Sequence, residues 1–401
     1  MTKKTGIALA GLLAAGLAGP ALAEQAIKIG VLNDQSSVYA DLAGLGSVVA
    51  AKMAVEDFGA AAKGLKVEVI SADHQNKPDI GANIARQWYD HDGVDVIVDV
   101  PNSGVALAVS QITKDKNKVF LDSGAGTTDL TGKACTPNTI HWTYDTWALA
   151  NGTANAVVAS GGTSWFFLTA DYKFGQDLER DSAAVVNAKG GKVLGAVRFP
   201  LNTPDFSSFL LQAQSSGAKV VGLAMAGGDF SNTVKQAAEF GIVDGGQKLA
   251  GMLVFITDIH ALGLQAAQGL QFTESFYWDA NDGTRAFAKR FAALDKGIHP
   301  TMVHAGVYSA VTHYLKAVAA LGDKSDGAKV VAEMKKEPTD DPLFGKGTVR
   351  ADGRKIHPFY LFEVKKPADS KGPWDYYKTI RTIPAEEAFR PLKDGGCPLV
   401  Q

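Results

Sequence analysis

Three loops in the first third of the chain combine glycine with hydroxyl and amide side chains. They cover residues 33–39, 101–104 and 122–128, and each follows a predicted strand. In an open parallel sheet the ligand lies beyond the carboxyl ends of the strands, where glycines let the backbone approach it and helix N-termini attract an anion. The pattern favours a carboxylate held by Ser103 and the backbone of residues 124–127. The alternative is that these residues only cap helices, a role that Ser, Asn, Asp and Gly commonly fill.

The second half of the chain supplies aromatic side chains at the equivalent positions. The loops concerned cover residues 171–175, 227–230 and 257–260. Tyr172, Phe174 and Phe230 would sandwich an apolar or aromatic body while the earlier loops hold its acid group. The alternative is that Tyr172 and Phe174 pack between two lobes without touching a ligand. An amino-acid ligand would also need an acid for its ammonium group, and Asp258 or Asp229 is the candidate.

Known catalytic patterns do not occur at the expected spacings. Gly124-Ala-Gly126 has Asp129 where a dinucleotide-binding loop needs its third glycine, and no serine lies in Gly-x-Ser-x-Gly. The histidines form no His-x-x-x-His pair, and neither cysteine has a neighbouring metal ligand. We therefore expect no enzymatic activity, no metal and no cofactor.

The elements that must position these loops alternate between strand and helix. Predicted strands cover residues 27–32, 66–71, 94–99, 118–122, 164–169, 192–197, 219–225, 249–256 and 270–276, and predicted helices cover 42–58, 78–89, 103–113, 175–187, 284–294 and 301–321, with two more starting at Asp205 and Phe230. This order predicts two consecutive α/β units with parallel sheets, joined near residues 143–147. Residues 357–364 and 374–380 alternate apolar and polar side chains, which predicts an antiparallel hairpin.

The N-terminus has the pattern of an export signal. Lys3 and Lys4 precede an apolar stretch over residues 6–17, and Ala21-Leu-Ala23 is a cleavage pattern. Removing residues 1–23 leaves 38 Lys and Arg against 42 Asp and Glu. This mild acidity without a basic stripe argues against a nucleic-acid partner. We expect an exported, periplasmic protein that is cleaved after Ala23.

The chain has two cysteines, Cys135 and Cys397. In an exported protein two cysteines favour one disulfide, which would pin the C-terminal tail near the predicted join. The alternative is a pair of separate buried thiols.

The order of several motifs resembles that of a known family. The motifs are Ile29-Gly-Val-Leu32 followed by a tyrosine-containing loop, Ala51-Lys-Met-Ala-Val-Glu-Asp57 and Asp171-Tyr-Lys-Phe-Gly175. Over essentially the whole mature chain they resemble type I periplasmic binding proteins of the branched-chain amino-acid (Leu/Ile/Val) receptor class. The resemblance implies an α/β Venus flytrap, in which each lobe is a mostly parallel sheet flanked by helices and three strands form the hinge. Lobe 1 would comprise residues 24–143 and 275–348, and lobe 2 residues 144–274 and 349–401 with the C-terminal tail.

The resemblance also implies binding residues in both lobes. In the family, groups after the third and fourth strands hold the ligand carboxylate, and Gly126 stands here where the family has a threonine, with Thr127 and Thr128 beside it. Together with the loops described above, the ligand-binding candidates are Tyr39, Asn102, Ser103, Gly124, Ala125, Gly126, Thr127, Tyr172, Phe174, Phe230 and Asp258.

The function that the resemblance implies is capture of a small carboxylate-bearing ligand in the periplasm for an inner-membrane ABC permease. The recurrent aromatic residues favour an aromatic or apolar organic acid, with an aliphatic amino acid next. The alternative function is a ligand-sensing module that signals to a partner receptor. We expect the protein to be a monomer.

Overall fold

The structure is a computed structural model that describes residues 25–400 together with Thr2. The predicted signal peptide over residues 1–23 lies outside the described residues, apart from Thr2. Between residues 25 and 400 we find no helix whose length and apolar content would let it cross a membrane.

The first unit is a five-stranded parallel sheet with its helices. It contains β1 (Gln25–Asn33), α1 (Gly44–Phe58), β2 (Leu65–Asp73), α2 (Pro78–Asp90), β3 (Val96–Asp99), α3 (Ser103–Asp115), β4 (Val119–Asp122) and β5 (Thr139–His141). The strand order is β2-β1-β3-β4-β5. Every residue of β3 and β4 is buried, because helices cover both faces of a parallel sheet. All the strand ends that carry the first three loops therefore meet at one edge.

A helical crossover leads into the second unit, a four-stranded parallel sheet. The segments are α4 (Thr146–Leu149), a π-helical turn (Ala150–Ala154), α5 (Asn155–Ala159), β6 (Ser164–Ala170), α6 (Lys173–Ala188), β7 (Lys192–Phe199), α7 (Ser207–Ser215), β8 (Val220–Ala224), α8 (Gly227–Glu239), β9 (Lys248–Gly251), α9 (Ile256–Leu262) and α10 (Leu264–Ala267). The order β7-β6-β8-β9 repeats the arrangement around β1 in the first unit. The prediction of two consecutive α/β units is confirmed.

One predicted strand, over residues 249–256, is wrong in its second half. β9 ends at Gly251, and Ile256 begins α9. The carboxylate of Asp258 accepts a hydrogen bond from the backbone N–H of Phe255 at 2.9 Å and so caps the helix start. Residues 252–255 are apolar and fully or nearly fully buried, and a short apolar run does not distinguish a strand from a buried connection.

The remaining elements return to both units. They are β10 (Gln271–Glu274), α11 (Asp282–Leu294), α12 (Met302–Leu321), α13 (Gly327–Lys336), β11 (Thr339–Asp341), β12 (Gly345–Val349), β13 (Lys355–Ile356), β14 (Phe359–Val364), β15 (Tyr377–Ile383) and α14 (Ala385–Ala388). The β14–β15 pair is antiparallel, as predicted, and β10 pairs with β14 to complete a three-stranded sheet. β15 begins at Tyr377, three residues after the predicted start.

Helices α11 to α13 pack on the first unit. α12 lies against α1, and α13 lies against β4. The guanidinium of Arg290 on α11 donates two hydrogen bonds to the carboxylate of Asp57 on α1, each 2.8 Å long. His304 on α12 is fully buried, and its Nε2 bonds the carbonyl oxygen of Ala43 at 2.8 Å while its Nδ1 accepts from the N–H of Thr301 at 3.1 Å.

His304 makes the stability of this packing dependent on pH. Burial lowers the pKa of His304 from its ordinary 6.5 to about 4 in the folded protein. Because the folded pKa is the lower one, the stabilising contribution is present above pH 6.5 and is lost as the pH falls towards 4, by up to ~3 kcal/mol. Urea unfolding at pH 7 and at pH 4.5 will show a smaller difference between wild type and His304→Gln at the lower pH. His91→Gln, at an exposed histidine, is the matched control. An equal difference at both pH values would contradict this account.

The disulfide predicted between Cys135 and Cys397 is present, with 5.6 Å between the two Cα atoms. Both cysteines are buried. The side chain of Arg390 donates a hydrogen bond to the carbonyl oxygen of Thr128 at 3.1 Å, close to the bond. The C-terminal tail is thereby attached to the loop that follows β4.

Candidate ligand-binding cleft

A cavity lies where the carboxyl ends of the two sheets face each other, and we call it the inner cavity. It measures about 10 Å³, which is about the room that one water molecule needs. Its lining residues are Tyr39, Leu42, Pro101, Tyr144, Tyr172, Phe174, Ala226 and Leu253. The walls are therefore aromatic and apolar, and a larger molecule would enter only if side chains or whole units moved apart.

Two tyrosines close the inner cavity from opposite sides. Tyr39 follows β1 in the first unit and Tyr172 follows β6 in the second, and their hydroxyl groups are hydrogen-bonded to each other. Burial is the main cause that raises the pKa of both phenols above the ordinary value of 10, so both remain neutral at physiological pH. A ligand in the cleft would have to separate this pair of hydroxyls.

The groups predicted to hold a carboxylate are close together but bond to one another. The hydroxyl oxygen of Ser103 accepts hydrogen bonds from the N–H groups of Gly126 at 3.3 Å and Thr127 at 3.2 Å. The N–H groups of Gly124 and Ala125 donate to Asp122, at 3.1 and 2.9 Å. None of these residues lines the inner cavity. They form a layer behind its wall, next to Pro101.

Thr127 lies in the same layer but faces the second unit. Its hydroxyl donates to the carboxylate of Asp177 on α6 at 2.6 Å.

Three other candidates have structural roles in this arrangement. The side-chain oxygen of Asn102 accepts from the N–H groups of Gly104 and Val105, at 3.0 and 3.2 Å, and caps α3. Phe230 is fully buried in the core of the second unit. The pKa of Asp258, the α9 cap, is raised by burial to about 7. Tyr39, Tyr172 and Phe174 are the candidates that line the inner cavity.

Sequence reasoning missed several lining residues, of which Tyr144 and Leu253 are the most informative. The Tyr144 hydroxyl donates to the carbonyl oxygen of Gly124, and its ring packs against Phe255 with centroids 6.2 Å apart. Tyr144 lies on the segment 143–147 that joins the two units, whereas Leu253 lies on the connection between β9 and α9, within the second unit. The join at 143–147 was predicted from the sequence, and this location was the one available signal that Tyr144 faces the cleft.

The backbone immediately before the cavity wall is strained. Asp99 and Val100 have φ values of +81° and +62°, a region that is unfavourable for any side chain and most of all for a β-branched one. The Asp99 carboxylate accepts from the side-chain amide of Asn33 at 2.9 Å, and burial raises its pKa to about 7. Strain of this kind is commonly kept where function needs a particular backbone path. Here it directs Pro101 into the cavity wall.

Polar contacts join the two units around the cavity. The N–H of Gly228, in the first turn of α8, donates to the carbonyl oxygen of Val38 at 2.9 Å. The ammonium of Lys173 on α6 lies 2.7 Å from the carboxylate of Asp129. Since these contacts span the cleft, they require the two units to be close together, which is the closed arrangement of a two-lobed clamp.

Comparisons with known proteins agree with this architecture. The family model described as periplasmic binding protein matches residues 26–372. The crystal structure of a periplasmic binding protein from Burkholderia mallei is 52% identical, has a TM-score of 0.91, and covers 94% of this chain and 100% of its own. A branched chain amino acid ABC transporter periplasmic ligand-binding protein from Burkholderia xenovorans LB400 is 43% identical with a TM-score of 0.82, at the same coverage of both chains.

More distant relatives extend the comparison. A Leu/Ile/Val-binding protein homolog from Brucella abortus is 26% identical over 94% of this chain and 96% of its own length. A solute binding protein of Rhodopseudomonas palustris in complex with benzoate is 22% identical, with a TM-score of 0.79 over 90% of this chain and 97% of its own. At that identity the likeness concerns the fold.

Proposed function

We propose, from the premise that this chain belongs to the periplasmic binding protein family, that it captures a small aromatic or apolar carboxylic acid in the cleft between its units. The family supplies the substrate-binding component of ABC transporters in the periplasm and is not a family of enzymes. The ligand would be handed to an inner-membrane permease. This chain would act as a monomer after cleavage behind Ala23.

The aromatic and uncharged lining of the inner cavity is the observation that supports an aromatic or apolar acid as the ligand. Four of its eight residues are aromatic and none is charged. An aromatic ligand placed between such rings gains ~0.5–1.5 kcal/mol for each ring pair beyond the burial of area. An ammonium group buried there without an acid would be costly.

An amino-acid ligand would need a carboxylate to pair with its ammonium group, but the two candidate aspartates already accept hydrogen bonds from the protein backbone. Asp229 accepts hydrogen bonds from the N–H groups of Asn202 and Thr203, at 3.0 and 3.1 Å. Asp258 caps α9. An aliphatic amino acid remains the second candidate, because the 43% identical relative is described as a branched-chain amino-acid transporter component.

The carboxylate of the ligand would be received behind Pro101. The N–H groups of Gly126 and Thr127 converge on the hydroxyl oxygen of Ser103, so a carboxylate that took the place of that oxygen would accept from both N–H groups, and the displaced Ser103 hydroxyl would supply a third donor. Entry requires the units to separate. We propose that residues 24–143 with 275–348, and residues 144–274 with 349–401, move as two lobes about the crossovers, except that the Cys135–Cys397 bond holds the end of the C-terminal tail to the first lobe.

Titration calorimetry with benzoate, 4-hydroxybenzoate and leucine tests this proposal. We expect the aromatic acids to bind and leucine not to. Ser103→Ala will weaken binding more than tenfold, since a hydrogen bond to a charged carboxylate is worth about 1.5–3 kcal/mol. Tyr172→Ala will also weaken it. Ser110→Ala is the matched control, because its hydroxyl is buried on the same helix and bonds Thr139 at 2.8 Å, outside the cavity lining.

The opposite pattern would overturn the ligand class. Tight binding of leucine or valine without binding of aromatic acids, together with loss of binding in Asp258→Asn, would assign the cleft to amino acids.

A further inference from the structure

A second cavity between the two units is much larger than the inner cavity. This outer cavity measures about 350 Å³, within the range of sites for small molecules. Residues 35–46 and the connection between α11 and α12 line it from the first unit. Thr257, His260 and Ala261 of α9, with Trp374, line it from the other side.

The two cavities share a wall but are separate compartments. Tyr39 and Leu42 line the inner cavity, whereas Ala40, Asp41 and Ala43 line the outer one. The segment 39–43 therefore lies between them. A molecule in the outer cavity would not occupy the space proposed for the carboxylic acid.

One residue of the outer cavity lining carries a buried hydroxyl without a partner. Thr257 is 8% exposed, lines the cavity, and its Oγ1 atom makes no hydrogen bond with any of the described residues. Buried polar atoms in native proteins nearly always have a partner, and an unsatisfied one is costly. The partner of Thr257 is therefore expected from within the cavity.

The charged groups on the wall formed by the first unit favour a cation. Asp41 and Asp295 both line the cavity, and neither carboxylate takes part in a salt bridge or a side-chain hydrogen bond within residues 25–400. Lys296 is the one lysine on the wall, so the carboxylates outnumber the ammonium. His304 bonds a backbone carbonyl and is neutral.

An apolar surface lies beside these groups. The indole of Trp374 is buried, and the imidazole of His260 stacks on it with ring centroids 3.9 Å apart. Ile298, on the connection between α11 and α12, adds an apolar side chain to the cavity lining. A short hydrocarbon chain would contact this surface while its charged end reached the carboxylates.

We propose that the outer cavity binds a small primary ammonium compound, whose nitrogen pairs with Asp41 and Asp295 and donates a hydrogen bond to Thr257 Oγ1. The apolar part of the compound lies against Trp374. Because the cavity walls belong to both units, a bound molecule stabilises their closed arrangement. By linkage it raises the affinity of the inner site for its own ligand.

Calorimetry of the full mature chain with n-butylammonium chloride is the test, with sodium butyrate as the probe of the same length and opposite charge. We expect saturable binding of butylammonium and none of butyrate. The double variant Asp41→Asn/Asp295→Asn will bind at least about tenfold more weakly, and Thr257→Val several-fold more weakly. Asp340→Asn, at an exposed aspartate away from the cavity, is the matched control. Circular dichroism will verify that each variant is folded.

The outcomes separate this site from the inner one. Saturable butylammonium binding that the double variant loses supports the outer site whatever the inner ligand proves to be, and benzoate binding that this variant retains shows in addition that the two sites are distinct. Three results would overturn the proposal: no saturable binding at millimolar butylammonium, equal binding by the double variant, or displacement of butylammonium by benzoate.

Discussion

Replacing Cys135 and Cys397 together by serine lowers the free energy of unfolding by ~2–5 kcal/mol, because the disulfide between them is lost. The two cysteines are 262 positions apart. A bond that closes so long a loop removes many conformations from the unfolded chain, and in the chain-entropy model this effect grows with loop length. Urea unfolding of oxidised protein measures the change directly.

Reduction of the wild type provides the control for this prediction. Each single variant and the reduced wild type lack the same bond, so all should unfold at the same lower urea concentration as the double variant. Wild-type protein whose unfolding midpoint is unchanged by reduction would show that the bond contributes nothing to stability.

Gly227→Ala weakens ligand binding by preventing closure of the cleft. A Cβ atom on Gly227 would lie 2.3 Å from the carbonyl oxygen of Val38, which belongs to the first unit. That clash exists only when the units are together, and overpacking of this kind typically costs 1–3 kcal/mol, or about 5- to 150-fold in affinity. Calorimetry measures the affinity. Small-angle scattering with saturating ligand should give a larger radius of gyration than for wild type.

Gly241→Ala is the control that distinguishes the effect of impaired closure from the effect of backbone strain. Gly227 and Gly241 have nearly the same left-handed backbone, with φ of +60° and +65°, and Gly241 follows the C-terminal end of the same helix. No other atom lies within 4 Å of a Cβ built on Gly241. Both variants lose stability through strain, but only Gly227→Ala should lose affinity and compactness. Equal ligand affinities of Gly227→Ala and Gly241→Ala would show that the contact between Gly227 and Val38 has no role in closure.

Much of the fold follows from the alternation of apolar strands with amphipathic helices. β1, β2 and β6 begin and end within two residues of their predicted bounds, because their apolar runs are flanked by clear turn residues. The helices over residues 146–159 were missed, since they include a π-helical turn and have no regular polar face. The strands β11 to β13 were also missed because they are two to five residues long.

The candidate site was predictable only in part. Tyr39 and Tyr172 were predicted because each follows the carboxyl end of a parallel strand, β1 in the first sheet and β6 in the second, where ligands bind in such sheets. The sequence did not distinguish a ligand-binding Asp258 from one that caps a helix, since both need the same residue after an apolar run. That distinction depends on where α9 begins, which local sequence left ambiguous.

The span of the Cys135–Cys397 bond also sets an order of events during secretion. A chain that crosses the inner membrane N-terminus first presents Cys135 to the oxidising compartment while 262 further positions separate it from its partner. Until that length has been translocated, the Cys135 thiol either stays reduced or forms a transient mixed disulfide with an oxidoreductase. Every strand of both sheets has emerged before Cys397 arrives, so covalent closure is a late step of maturation.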